Sequence, residues 1–185
     1  MTNNILELVI YPDKRLKQVS ERVSRVDDEI RKNFDQLTAG MKHYRGIGLA
    51  GVQVGIMKDI FVVDHDYIIE HHDKDLEPRR QPMGKLLCMA NAEIIEKSEE
   101  LYEVEDGCLS IPGVWAKLKR PKSIKVKYLD YDGKEQLMEA HGLLAFCIQH
   151  EHDHTQGRLF IDYFSPLKRQ MLVKKMEKYL KHLKM

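Results

Sequence analysis

Apolar residues recur at helical spacing in two long segments of the chain. In residues 26–44 the apolar positions lie three or four residues apart, and Asp27 or Asp28 can cap the N-terminus of the predicted helix. Residues 142–148 are apolar on every side of a helix rather than on one stripe, and this helix is predicted to continue to about Thr155. The second pattern indicates a helix that is buried in the core.

The C-terminal segment predicts a third helix, with one apolar stripe. Ser165 can cap its N-terminus, and Pro166 fits the first helical position. The opposite face is polar and strongly basic. The predicted stripe consists of Leu172, Met176, Tyr179, Leu180 and Leu183.

Shorter segments carry the pattern of β-strands. Residues 60–63 form an apolar run typical of a buried strand. Ile124, Val126 and Tyr128 alternate with polar residues, as expected for a strand with one face in the core. The dipeptide at residues 132–133 is Asp-Gly, which is a hairpin turn signal.

Residues 66–84 are rich in mixed charges and contain two prolines, so we expect an exposed loop there. His65, His71 and His72 are then expected to be solvated. Together the elements predict an α+β fold in which antiparallel strands surround a central buried helix, with a C-terminal amphipathic helix. We expect residues 1–185 to form a single domain.

The composition argues against several classes of protein. The formal net charge of +1 predicts no general affinity for DNA or other nucleic acids. Three cysteines, an odd number, argue against a disulfide framework and for a reducing compartment. The sequence has no apolar run of signal-peptide character at its N-terminus and no stretch long enough to cross a bilayer. We therefore expect a cytoplasmic protein that acts without a membrane.

The most informative short motif is His-Glu-His-Asp-His at residues 150–154. On a helix, His150 and His154 lie one turn apart and can bind a divalent ion, with Glu151 on their flank as a general base. His152 points to the opposite side and is not expected to be a ligand. Because the helix is predicted to be buried, imidazoles and a carboxylate without partners would be costly, which favours a metal site.

Two imidazoles need a third protein ligand, and three possibilities arise. The third histidine of the metzincin pattern would fall at Phe160, so that class is excluded. Glu177 could be the third ligand of a thermolysin-like metallopeptidase, although it fits a surface position on a basic helix. Cys108 follows Gly107 in a segment that can turn a thiolate toward an ion. A purely structural metal site would need a fourth protein ligand, and the sequence offers no obvious one.

Gly46, Gly48 and Gly51 also match the G-x-G-x-x-G fingerprint of dinucleotide-binding proteins. That fingerprint requires a strand before it, whereas the segment upstream of Gly46 has helical periodicity. We therefore interpret these glycines as the end of a helix, where the backbone can approach a substrate or a neighbouring strand closely.

Three motifs together resemble the signature motifs of peptide deformylases. They are Gly-Ile-Gly-Leu-Ala-Gly-Val-Gln at residues 46–53, Asp-Gly-Cys-Leu-Ser at residues 106–110 and the His-Glu-His-Asp-His motif. Their order and spacing are similar to the family's, along nearly the whole chain. The resemblance implies the deformylase fold and a metal-dependent hydrolase that removes the formyl group from N-formylmethionyl nascent peptides and releases formate.

The resemblance also implies roles for individual residues. Glu151 would act as general base and acid, while Gln53 and the backbone N–H of Leu109 would bind the oxyanion. The metal ligands would be Cys108, His150 and His154. The candidates to line an apolar pocket for the methionine side chain are Ile47, Gly48, Val104, Gly107, Leu143, Phe146 and Cys147, with core packing as the alternative role.

Four positions depart from the residues that are usual in the family. Gly51 stands in place of alanine, Asp106 in place of glutamate and Thr155 in place of leucine, while Phe146 is bulkier than the usual aliphatic residue. We expect these departures to affect the pocket and the rate rather than the type of reaction.

The resemblance favours one ferrous ion per chain, and the ligand set also suits zinc, nickel or cobalt. A partner is suggested by the last helix, where seven basic residues accompany one acidic residue, Glu177. This face can dock on ribosomal RNA phosphates near the nascent peptide, or it can be a solvated polar face. The basic residues are Lys168, Arg169, Lys174, Lys175, Lys178, Lys181 and Lys184.

Overall fold

The computed structural model describes residues 5–72 and 86–183. None of the helices in these ranges is long and apolar enough to cross a membrane. The α-helices are α1 (Asp28–His43), α2 (His65–His72), α3 (Gly142–Thr155) and α4 (Pro166–Leu183). The strands are β1 (Gly48–Ala50), β2 (Ile60–Val63), β3 (Leu87–Lys97), β4 (Leu101–Cys108), β5 (Ile111–Pro121), β6 (Ser123–Leu129) and β7 (Glu135–His141).

The strands form two antiparallel sheets. Five of them pair in the order β1-β2-β3-β6-β7, while β4 and β5 form a separate two-stranded ribbon. The α+β class and the antiparallel pairing predicted from the sequence are confirmed. Among the described strands β1 pairs only with β2, so its second edge has no strand partner.

Helix α3 is the centre of the fold and contacts both sheets. All of its residues except His152 are buried, which agrees with the prediction from the apolar run at its start. The helix ends at Thr155 as predicted, and Gly157 follows in the left-handed conformation with a φ of 70°.

Helix α1 covers the face of β2 that is turned away from α3. Phe34 and Leu37 of α1 pack with Ile60 and Val62, whereas the alternate strand residues belong to the core around α3. The side chain of Asp27 accepts a hydrogen bond from the backbone N–H of Ile30 at 3.1 Å and so caps α1. The predicted helix is confirmed, with a start two residues later and an end one residue earlier.

An arginine, not a glycine, takes the left-handed position after α1. Arg45 has a φ of 57°, and the N–H of Gly46 donates to the carbonyl of Met41 at 2.9 Å. The expectation that a glycine ends the helix is therefore wrong. The expected close approach of the backbone is present, because a Cβ at Gly46 would lie 2.9 Å from Cδ1 of Leu109.

The predicted hairpin is present as β6 and β7. Val126 lies opposite Met138 in this pair. In the turn, Gly133 has a φ of 78°, and the Asp130 carboxylate accepts the backbone N–H of Lys134 at 2.9 Å. The Asp-Gly dipeptide therefore occupies the turn that its residue types favour.

The expectation of an exposed loop at residues 66–84 is wrong for its first part. His65–His72 form α2, and Ile68 of this helix is buried in the core around α3. His65 is partly buried rather than solvated. Eight residues with few apolar positions give too weak a periodic signal for the helix to be predicted. The rest of the expected loop, residues 73–84, and the side chains of the last two histidines of α2 lie outside the described part of the chain.

Helix α4 packs along β5, and only Met176 is buried among its described residues. The predicted apolar stripe is wrong at Leu183, which is 65% exposed. Tyr179 is also exposed, at 42%, although its ring lies over Gly113, where a Cβ would be 2.3 Å from the ring. The other stripe residues, Leu172 and Leu180, are partly buried against the core.

Candidate metal centre and active site

Three side chains from two elements converge on one point of the core. Sγ of Cys108 lies 3.2 Å from Nε2 of His154, which lies 3.2 Å from Nε2 of His150. Donor atoms around one tetrahedral ion are about 3.4–3.6 Å apart, given metal–nitrogen and metal–sulfur bonds of about 2.1 and 2.3 Å. The observed spacing fits a single bound ion. Within the described residues this is the only such group of possible ligands.

The local structure explains how these ligands meet. His150 and His154 lie one turn apart on α3, as the sequence predicts. Cys108 ends β4, where the register with β5 shifts between Gly107 and Cys108. A bulge of this kind re-aims the following side chain, and here Cys108 comes to face the two histidines.

Asp106 fixes the orientation of the His150 ring. Nδ1 of His150 lies 2.9 Å from Oδ1 of Asp106, so Nε2 is left to face the other ligands. Burial lowers the pKa of His150, but the Asp106 carboxylate outweighs it and raises that pKa well above the usual value. The same negative charge favours a cation at Nε2.

Arg120 on β5 joins this site to a buried ion network. Its Nη1 lies 2.6 Å from Oδ2 of Asp153, and its Nη2 lies 3.7 Å from Oδ2 of Asp106. The guanidinium also lies over the rings of Phe146 and Tyr163, at 5.1 and 4.8 Å from their centroids. Two carboxylates and two aromatic faces therefore compensate one buried cation.

Arg120, Asp153 and Tyr163 were not singled out in the sequence, although a signal for Arg120 exists. Along β5 the residues Ala116 and Leu118 are buried, and the next position on the same face is Arg120. A charged residue at a core position of a strand requires a buried partner. The sequence alone does not identify that partner as Asp153.

Glu151 is buried beside the ligand cluster, and its Oε2 has no hydrogen-bond partner within the described residues. It packs against Gly48 of β1, where a Cβ would lie 2.5 Å from Oε1. Only glycine allows β1 to approach this carboxylate so closely. Burial raises the pKa of Glu151 to about 7, which suits a group that exchanges protons near neutral pH.

Gln53 is buried in the 3₁₀ turn Gly51–Val54 and is held at both ends of its amide. Its Oε1 accepts the backbone N–H of Ala50 at 2.8 Å. Its Nε2 lies 3.5 Å from Sγ of Cys108 and 3.3 Å from Oγ of Ser110. Leu109 directly follows Cys108, so both predicted oxyanion groups lie near the cluster.

The predicted pocket residues include both buried and partly buried residues of the core around α3. Leu143, Phe146 and Cys147 are buried in the core around α3, while Ile47 and Val104 are partly buried against it. Phe146 faces the guanidinium of Arg120 as described above. Gly48 borders Glu151, and Gly107 borders Cys108.

The alternative third ligand does not reach the histidines. Glu177 is exposed on α4 and is absent from the ligand cluster. His152, which was not expected to be a ligand, lines a separate cavity of about 280 Å³ together with Lys97, Lys119 and Arg158. Glu177 lies on the exposed side of α4, and His152 lies on the side of α3 opposite His150 and His154.

Comparison with known proteins gives a consistent result. A peptide deformylase of Rickettsia canadensis (strain McKiel) is 46% identical over 180 residues, which cover 95% of this chain and 96% of that protein. A peptide deformylase of Mesorhizobium japonicum is 46% identical over 177 residues, covering 96% of this chain and 94% of that protein.

Solved structures agree with the sequence relatives. The crystal structure of peptide deformylase from Ehrlichia chaffeensis has a TM-score of 0.88 and 39% identity, covering 98% of this chain and 99% of that one. A complex of the Ehrlichia chaffeensis enzyme with actinonin has a TM-score of 0.84 and 39% identity, covering 95% and 97%. Residues 5–170 match the family described as polypeptide deformylase, and the chain therefore belongs to the peptide deformylase family.

Proposed function

We propose that this chain removes the formyl group from N-formylmethionyl nascent peptides and releases formate. The observation that carries the proposal is the cluster of Cys108, His150 and His154 beside the buried carboxylate of Glu151, whose Oε2 has no hydrogen-bond partner within the described residues. Such an arrangement is suited to the hydrolysis of an amide by a positioned water molecule. The family of the chain supports the same reaction.

Cys108, His150 and His154 would hold one divalent ion. When bound, the ion acts as a Lewis acid that makes water a better nucleophile and polarises a carbonyl oxygen. Burial and the neighbouring His150 lower the pKa of His154 well below its usual value, which favours the neutral imidazole that metal binding requires. The soft thiolate with two imidazoles suits iron, zinc, nickel or cobalt, and we propose ferrous iron as the metal in the cell.

Glu151 is proposed to move the protons. Its carboxylate accepts a proton from the water that adds to the formyl carbon. The same group then donates that proton to the nitrogen as the carbon–nitrogen bond breaks, which releases formate and a free amine. The pKa of about 7 allows Glu151 to act in both directions near neutral pH.

Gln53 and the N–H of Leu109 are proposed to stabilise the negative charge on the formyl oxygen. The Gln53 amide is held by Ala50 and Ser110, so it is oriented before the substrate arrives. The methionine side chain would bind between the partly buried residues Ile47 and Val104 and the end of α3 that carries Leu143.

The decisive experiment measures formate release from formyl-Met peptides by anaerobically purified protein, with metal content determined on the same sample. We expect activity that follows the bound metal and disappears with a chelator. Cleavage of internal peptide bonds without formate release would favour a metallopeptidase instead.

We further propose that the basic face of α4 brings the enzyme to the ribosome. Lys174, Lys175, Lys178 and Lys181 are exposed and have no ion pair within the described residues. Lysines without partners can contact RNA phosphates, and such contacts weaken steeply as salt rises.

We also propose that the chain is one catalytic domain and works in the cytoplasm.

Ribosome binding is tested with purified ribosomes at low and moderate salt. The charge-reversal variant Lys174→Glu, Lys175→Glu, Lys178→Glu should bind more weakly, with hydrolysis of a short formyl peptide unchanged. Equal binding of both proteins, or binding of neither, would mean that α4 is only a part of the scaffold.

A further inference from the structure

The single tryptophan of the chain lies exposed next to the metal centre. Trp115 on β5 pairs with Gly107 on β4, the residue that precedes Cys108. The indole is 58% exposed and rests on Gly107, where a Cβ would lie 2.4 Å from its Cε3 atom. Glycine at position 107 therefore allows the indole to pack directly on the backbone beside Cys108.

The surroundings of Trp115 make its exposure unusual. On the outward face of the β4–β5 ribbon, Glu103 lies opposite Lys119 and Glu105 lies opposite Lys117, so the middle of this face is charged. Exposed apolar residues lie at both ends of the face, Leu101 at one end and Trp115 at the end nearest to Cys108. A large exposed aromatic side chain at the border of a site is a candidate for ligand contact.

The free edge of β1 can accept an extended peptide. Gly46 packs against Leu109 and Gly48 packs against Glu151, so the entrance to β1 lies across from residues 107–109. Because β1 has a strand partner on one side only among the described strands, its other edge can bind the backbone of an added strand.

The alternation of side chains in an extended peptide determines which substrate residue reaches Trp115. Successive side chains of a strand point to opposite faces and are about 3.3 Å apart along it. If the methionine side chain points inward to the core around α3, the next side chain points outward. The outward side of the ribbon is the side that carries Trp115.

We propose that the exposed indole of Trp115 binds the side chain of the residue that follows the formyl-methionine, and so selects substrates with an apolar or aromatic second residue. This inference rests on the proposed deformylase function. It makes Trp115 a specificity-determining residue that touches the substrate away from the bond that breaks. The effect should appear mainly in KM, because the contact is present equally before and during the reaction.

A kinetic comparison tests the selectivity. We would measure kcat/KM for formyl-Met-Phe-amide and formyl-Met-Gly-amide with the wild type, Trp115→Phe and Trp115→Ala. The wild type should prefer the phenylalanine peptide by about five- to thirtyfold. Trp115→Ala should lose the preference while keeping its rate on the glycine peptide, and Trp115→Phe should keep most of it. Leu137→Ala, which removes an equally exposed apolar residue on β7, is the control.

The fluorescence of Trp115 provides a readout that does not depend on turnover. Because the chain contains one tryptophan, its emission reports this position alone. In the zinc-loaded Glu151→Gln variant, saturating formyl-Met-Phe-amide should shift the emission and protect it from acrylamide quenching, and formyl-Met-Gly-amide should do so much less.

The outcomes separate this inference from the proposed function. If the preference is the same in the wild type and Trp115→Ala, or if a bound phenylalanine peptide leaves the emission unchanged, the inference is wrong. If no variant releases formate, the proposed function is wrong, and the emission still shows whether the peptide reaches Trp115.

Discussion

Nδ1 of His150 donates a hydrogen bond to the carboxylate of Asp106 at 2.9 Å, and this bond decides which ring nitrogen faces Cys108 and His154. Asp106 is in turn held by Arg120, whose Nη2 lies 3.7 Å away. The orientation of one ligand therefore depends on a buried chain of charges that continues from β4 into β5. A carboxylate in this position also increases the basicity of the imidazole.

Replacing Asp106 with asparagine tests this relationship. The amide can still accept the His150 N–H but lacks the charge that supports a bound cation and balances Arg120. We expect metal affinity to fall about 10- to 100-fold, as measured by competition with a chelator. Glu105→Gln changes an exposed carboxylate on the other face of β4 and serves as the control. Unchanged affinity in Asp106→Asn would show that the charge is not required.

Glu151→Gln separates proton transfer from metal binding. Glu151 is not in the ligand cluster, and glutamine keeps its shape while removing the basic oxygen. We expect full metal content and a loss of kcat of about 10²- to 10⁴-fold. Metal analysis and formate release on the same preparation check this. Activity above a tenth of the wild type would remove Glu151 from the mechanism.

A pair of alanine variants distinguishes the two candidate third ligands. Cys108→Ala should lower metal occupancy and abolish activity, because two imidazoles alone hold a divalent ion weakly. Glu177→Ala should change neither property, because Glu177 is exposed on α4. Metal loss in Glu177→Ala with retention in Cys108→Ala would instead support a thermolysin-like site.

Elements with a strong periodic pattern were predictable from the sequence. Helices α1 and α3 and the β6–β7 hairpin have long apolar repeats or turn residues that allow few other interpretations. Helical geometry alone predicts that the two candidate ligands on α3, His150 and His154, lie on the same side of the helix. Cys108 became a candidate through the glycine beside it and through the resemblance to a family.

Elements that are stabilised by tertiary contacts, and whose hydrophobic pattern is weak, were not predictable from the sequence. The inward faces of β4 and β5 carry Asp106 and Arg120, so charges occupy core positions and obscure the strand pattern. Their burial is tolerated because Asp153 and His150 complete the network, and residues far apart in sequence cannot be paired from periodicity. Helix α2 is short, and its one described buried residue, Ile68, is stabilised by packing on the core.

Gln53→Ala should separate catalysis from binding. The amide matters most as charge develops on the formyl oxygen, so kcat should fall about 10²- to 10³-fold with metal retained. The variant also leaves the buried N–H of Ala50 without its acceptor, which should cost about 1–3 kcal/mol of stability. Activity must therefore be measured well below the melting temperature of the variant. An effect confined to KM would mean that Gln53 only binds substrate.

Asp59 is predicted to make the stability of the fold depend on pH. It is buried at the start of β2 beside Thr155, and its Oδ1 has no hydrogen-bond partner within the described residues. Burial raises the pKa of Asp59 to about 6, partly opposed by a hydrogen bond from Thr155. Between the usual aspartate pKa of 3.8 and about 6 the folded state binds more protons than the unfolded state, so this group lowers stability as pH rises through that window.

Asp59→Asn removes this effect because asparagine carries no charge at any pH. We expect the variant to be more stable than the wild type by about 1–3 kcal/mol at pH 7.5 and to lose this advantage as pH falls toward 4. Urea unfolding at several pH values measures the difference, with Asp132→Asn in the exposed β6–β7 turn as control. Since Thr155 directly follows the candidate ligand His154, metal content should be recorded for both variants. If Asp59→Asn is less stable than the wild type by the same amount at every pH, the prediction is wrong. The fold would then depend on the carboxyl group at position 59, and its ionisation would not set the pH dependence of stability.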